Sequence, residues 1–137
     1  MTKQKIETLV IRNFRKNKTA GACTNASLEK ACGLQLSSEE KCLVCVDTTN
    51  KSSYHITTHR IVNDKTNCSI NYQDINNVYW MVRNISQYNG LEKAKLKKEK
   101  YDTLVLEIKD KPDVEISHLG NSWNFVLSFL SQYLAQR

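Results

Sequence analysis

The chain has 137 residues, 40% of them hydrophobic and 25% charged, with four glycines and one proline. That length accommodates one core and excludes two ordinary domains, and that balance excludes a low-complexity or globally disordered chain. The formal net charge of +6 is uneven: residues 1–38 hold 7 basic and 2 acidic groups, 39–92 hold 5 and 6, 93–100 hold 5 and 1, and 101–137 hold 3 and 5. The excess therefore belongs to an N-terminal extension and one lysine run, so a basic folded face is not expected as its source.

Charges interrupt the segment Met1–Arg15 before an apolar signal core can form, and no stretch approaches membrane-spanning length. Five cysteines, Cys23, Cys32, Cys42, Cys45 and Cys68, make an odd number, so reduced thiols are expected in place of a disulfide framework. Together these features read as a soluble, cytoplasmic protein.

In chain order, Ile6, Leu9, Val10 and Phe14 recur at helical spacing, although Leu9-Val10-Ile11 also suits a strand. Asn17 to Cys23 reads as a linker, and Asn25 or Ser27 can cap a helical turn that Gly33 stops. Residues 1–38 are thus expected to be a partly helical extension, and residues 39–137 the domain proper. From Glu40 the period becomes 2, the spacing of a strand. Cys42–Asp47 and Ser53–Thr58 form a hairpin with Tyr54 and Ile56 on one face; Arg60–Val62 and Cys68–Tyr72 form a second pair. Ile75–Val82 places Val78, Trp80 and Val82 on one face, and its pairing is expected to run on towards Tyr88. After a polar stretch, Thr103–Lys109 turns Leu104, Leu106 and Ile108 inward, and Val114–Ser117 returns after the turn Asp110–Asp113. Connections this short require antiparallel pairing. Asn121 or Ser122 is expected to cap a last helix whose core stripe is Trp123, Val126, Leu127, Leu130 and Leu134.

Seven short strands and one terminal amphipathic helix, with Tyr54-His-Ile-Thr-Thr-His-Arg-Ile-Val62 followed by Ile70-Asn-Tyr-Gln-Asp-Ile-Asn-Asn-Val78, resemble the bacterial pleckstrin-homology-like (PH-like, GRAM-like) domains over residues 39 to 136. The resemblance implies a mainly β fold, a seven-stranded antiparallel roll or sandwich capped by the C-terminal helix. It implies a non-catalytic binding module working through a protein partner or self-association. Phosphoinositide-binding members use several cations around the first hairpin, where this chain offers Lys51.

Cys42-x-x-Cys45 on a strand sends its thiols to opposite faces about 10 Å apart, too far for one metal or a disulfide. His55 and His59 fall on the polar side or end of their strand, and His118 follows the last one. No nucleophile elbow, phosphate loop or carboxylate pair is visible, so neither enzyme activity, a metal nor a cofactor is expected. Lys93, Lys95, Lys97, Lys98 and Lys100 form a solvated run or a site for an anionic membrane or other polyanion. Without arginine or interleaved aromatics, the run gives no expectation of nucleic acid. Phe125, Phe129 and Tyr133 widen the last helix's apolar face; either Ile6, Leu9, Val10 and Phe14 fold over them, or they form a partner surface.

Overall fold

The computed structural model describes residues 1–17, 22–23, 36–49, 52–63, 65–66, 68–81 and 103–137. It is a mixed α/β structure with two antiparallel sheets and a helix near each end. Helix α1 spans Lys3–Asn17, followed by strands β1 (Ala22–Cys23), β2 (Cys42–Asp47), β3 (Ser53–Thr57), β4 (Arg60–Asn63) and β5 (Ser69–Asn71). A 3-10 turn at Tyr72–Asp74 leads to β6 (Ile75–Met81), then β7 (Thr103–Ile108), β8 (Val114–Ser117), a second 3-10 turn at Gly120–Ser122 and helix α2 (Trp123–Gln136).

The strands divide in chain order into a sheet β1-β2-β3-β4-β5 and a sheet β6-β7-β8. The seven strands expected of a roll or sandwich thus divide four and three between two antiparallel sheets, and the structure is not a single seven-stranded sandwich. A two-residue eighth strand, Ala22–Cys23, pairs with β2 from within the segment read as an extension. Alternation explains each sheet's inner face. Val44, Ile56, Ile61 and Ile70 stand opposite one another across β2 to β5, and Trp80, Leu104 and Ile116 do so across β6 to β8. Both rows and both helices feed one core. Strand β2 departs from simple alternation, since Leu43 and Cys45 are buried as well as Val44 and Val46. The same outward row continues through His55, buried directly opposite Cys45, and Val62 beyond it. His55 therefore lies inside the protein and not on a polar side.

Helix α1 buries Ile6, Leu9 and Val10, confirming a helix over a strand at Leu9–Ile11. It packs against α2 and β2. Asn13, on the same buried face, donates from Nδ2 to Leu9 O at 2.9 Å and to Gln132 Oε1 at 3.1 Å, which satisfies a polar group placed inside the helix contact.

Helix α2 corrects the expected stripe. Its buried residues are Phe125, Val126, Phe129, Leu130 and Tyr133, whereas Trp123, Leu127 and Leu134 are only partly buried. At 100° per residue the buried arc is turned by about 80° from the stripe that hydrophobicity alone suggests. The cause is that α2 is covered on two sides, by α1 and by β6. Neither Asn121 nor Ser122 begins the helix from an extended cap; Ser122 already has helical backbone angles, and the chain enters α2 through the 3-10 turn. Gly120 holds a φ of +57°, a left-handed conformation that favours glycine, and a Cβ there would sit 3.5 Å from Thr49 Cγ2. No described helix is long and apolar enough to cross a membrane.

Candidate functional site

The residues proposed as a partner surface are in the core. Phe125, Phe129 and Tyr133 are 0%, 0% and 5% exposed. Phe14 of α1 meets Phe125 edge-on at 5.8 Å, and Tyr72 meets Phe129 at 5.2 Å and Tyr133 at 5.6 Å. Their burial excludes them as a docking surface, and α1 supplies part of their cover. Lys93, Lys95, Lys97, Lys98 and Lys100 lie outside the described residues, as do the expected turn from Asn25 to Gly33 and the strand continuation from Val82 to Tyr88. Cys42 and Cys45 are both buried on β2. Cys68 is partly buried, and burial pushes its thiol pKa up. Among the described residues no group of three or more His, Cys, Asp or Glu side chains is placed to hold a metal.

A different feature emerges where β3 turns into β4. The turn Thr58–His59 is short, and its backbone and side-chain groups are held from every direction. Thr57 Oγ1 donates to Glu40 Oε2 at 2.6 Å and accepts from the backbone N–H groups of His59 at 3.0 Å and Arg60 at 2.9 Å. Glu40, whose side chain is 3% exposed, pairs with Arg60 through Nε–Oε2 at 2.9 Å and Nη2–Oε1 at 3.3 Å. Its Oε1 also accepts from the Ser37 N–H at 3.3 Å. Thr58 N donates to Lys41 O at 2.9 Å, and Lys41 N donates to Thr58 Oγ1 at 3.1 Å. The Tyr72 hydroxyl lies between two carbonyl acceptors, Thr57 O at 2.6 Å and Arg60 O at 2.9 Å, while Tyr72 N donates to His59 O at 3.1 Å.

The electrostatics follow from that geometry. Burial alone would raise the Glu40 carboxyl; hydrogen bonds from Arg60, Thr57 and the Ser37 backbone, with the Arg60 charge, outweigh it and hold the pKa below its usual range. Tyr72 moves the other way. Complete burial, with further contributions from Cys42 and Glu40, pushes its phenol well above the ordinary value of 10, so the hydroxyl stays a neutral donor.

This fixed turn forms one wall of a cleft of about 440 Å³. Ile6, Tyr72 and Tyr133 provide an apolar floor, and Lys3, His59, Asn71 and Gln73 a polar rim that is open to solvent. The Thr58 hydroxyl shares a 2.7 Å hydrogen bond with His59 Nδ1, which orients the ring at the rim. The size and the mix of an apolar floor with a few polar groups suit a bound side chain or small group. No carboxylate lines the cleft, so the rim favours an anionic or amide-bearing occupant.

Sequence reasoning missed the Glu40, Thr57, Arg60 and Tyr72 set because its members are up to 32 residues apart and look like ordinary strand ends. The available signal was Glu40, an acidic residue two positions before the apolar strand that starts at Cys42, with Arg60 opening an aliphatic one.

No family model, curated protein or solved structure matches this chain.

Proposed function

We propose that the chain is a non-catalytic, PH-like binding module that acts through contact with a protein partner or a second copy of itself. The observation that carries this reading is the rigidly held Thr58–His59 turn beside the open cleft. Holding a contact surface in one conformation before association lowers the ordering cost of binding, and here the buried Thr58 fixes the exposed His59 at the rim. The PH-like assignment is supported by the chain-order sheets, the four strands β2 to β5 preceding the three of β6 to β8, and by the C-terminal helix packed on β6. The odd cysteine number favours the cytoplasm as the compartment.

The test fills the cleft without touching the network. Gln73, exposed on the rim, is replaced by Trp, and the full chain is compared with wild type by affinity capture and by light scattering over a range of concentrations. Wild type is expected to retain a partner or to show a concentration-dependent mass, and Gln73→Trp to lose it. A variant that keeps both behaviours sinks the cleft as the contact surface.

A second reading, association with an anionic membrane or other polyanion through Lys93, Lys95, Lys97, Lys98 and Lys100, is supported by the lysine run itself. Equal sedimentation with neutral and anionic vesicles at low salt eliminates it.

A further inference from the structure

The outward face of α1 carries charge that the core does not use. Lys5, Arg12, Arg15 and Lys16 are exposed along it, and the helix contains one acidic residue, Glu7, which Lys41 engages at 3.0 Å. Helix α2, packed alongside, contains no acidic residue at all. The outward face of α1 is therefore a cationic surface, with no carboxylate from α2 to neutralise it.

The surface is grooved. Two depressions of about 540 and 530 Å³ run along α1 and share Gln4, Thr8 and Arg12, so they adjoin. Gln136 of α2 stands on the wall of the first; Ile11, Arg15 and Glu7 line the second, where the Glu7 carboxylate is engaged by Lys41. Arg12 is exposed and set in place, since its Nη2 donates to Gln132 Oε1 at 3.0 Å, one of the five N–H donors a guanidinium carries. From Gln4 to Arg15 the helix rises about 16 Å, at 1.5 Å per residue. An extended chain advances about 3.3 Å per residue, so the strip matches about five residues of peptide.

We infer that this strip on α1 seats an extended acidic segment, about five residues long, of a protein partner. The inference rests on the binding-module reading and names the partner's chemistry. Carboxylates of the segment meet Arg12, Arg15 and Lys5, where the planar arginine forks accept them in pairs. Gln4, Thr8 and Gln136 offer donors and acceptors for the peptide backbone between them. The same lining distinguishes a peptide from the other anionic surfaces. No aromatic side chain lines the strip for base stacking, and Met1, 39% exposed, is the one exposed large hydrophobic group at the strip among the described residues, too little to anchor in a bilayer.

The experiment measures fluorescence anisotropy of a labelled peptide with five consecutive glutamates, titrated with the full chain at 50 and 300 mM salt. Saturable binding is expected at low salt, weakened at least tenfold at high salt, because exposed charge pairs are screened. The double variant Lys5→Glu/Arg15→Glu is expected to lose at least tenfold in affinity while keeping the wild-type circular dichroism and melting temperature. Lys111→Glu, an equal change per residue on the β7–β8 turn, is expected to bind as wild type. Absence of saturable binding, an equal loss in the Lys111→Glu control, or binding to phosphatidylserine vesicles without binding to the peptide each overturns the inference. If the chain retains a partner sensitive to Gln73→Trp while the glutamate peptide fails to bind, the strip assignment falls and the binding-module reading stands.

Discussion

The surroundings of the Tyr72 ring and those of its hydroxyl are two different kinds of structure meeting on one side chain. The ring sits among Phe129, Tyr133 and the aliphatic rows of both sheets, where no direction is privileged and packing density decides stability. The hydroxyl enters the polar network of Thr57, Arg60 and Glu40, where distance and donor direction decide everything. The apolar side is expected to supply stability and the polar side the single conformation of the Thr58–His59 turn, because a buried ion pair gains little net free energy once its desolvation is counted.

The largest expected effect lies on the apolar side. Phe129→Ala removes a fully buried ring that contacts Tyr72 edge-on and is expected to cost about 3–5 kcal/mol in urea unfolding, through lost burial and the cavity left behind. Glu40→Ala is expected to cost about 2–3 kcal/mol, less than for a fully enclosed pair because the Arg60 side chain is 23% exposed and can turn to water. A cost equal to that of Phe129→Ala would mean that the polar network supplies as much stability as the apolar core. Tyr72→Phe isolates the hydroxyl, keeps the ring, and is expected to cost about 1–2 kcal/mol; amide exchange should quicken at His59 and Arg60 more than in β7 or α2. Uniform quickening would mean that the hydroxyl serves the core as a whole.

Acid sharpens the same comparison. The Glu40 carboxyl has a folded pKa below its unfolded value of 4.5, so its contribution is fully present above that value and is lost as pH falls through the lower folded one. The wild-type urea midpoint should fall between neutral pH and pH 3 more steeply than that of Glu40→Gln, and parallel slopes would remove Glu40 from the acid response. The smallest effect is expected at the surface pair Lys41–Glu7, whose side chains are 47% and 36% exposed. Glu7→Gln should change stability by less than about 0.5 kcal/mol, measurable as an unchanged melting temperature.

Much of the fold was legible in the chain because local periodicity reports local structure. Period 2 located each strand core from Cys42 to Asp47 and from Thr103 to Ile108, and turn residues separated them. Ile6, Leu9, Val10 and Phe14 marked the inward face of α1, which indeed lies over Phe125. The candidate site was not legible. Nothing at Glu40 alone announces Arg60, 20 positions on, or Tyr72 beyond it; their meeting depends on β3 and β4 pairing in the observed register and on Tyr72 starting the turn after β5.

What the sequence determined by itself was therefore the order of elements and most of their kinds: short antiparallel strands, an amphipathic C-terminal helix, and an excess of positive charge in an N-terminal segment that local spacing left open between helix and strand. Those properties depend on neighbours within a few positions along the chain. The tertiary structure alone decided that the strands form two sheets, that α2 turns its aromatic residues inward, and that His55 is buried. A side chain's exposure is set by what packs on it from elsewhere; α1 and β6 together cover the arc of α2 that hydrophobic periodicity alone places at the edge. The same dependence on distant partners made Phe125, Phe129 and Tyr133 core residues and left the fixed turn and the cationic strip on the surface.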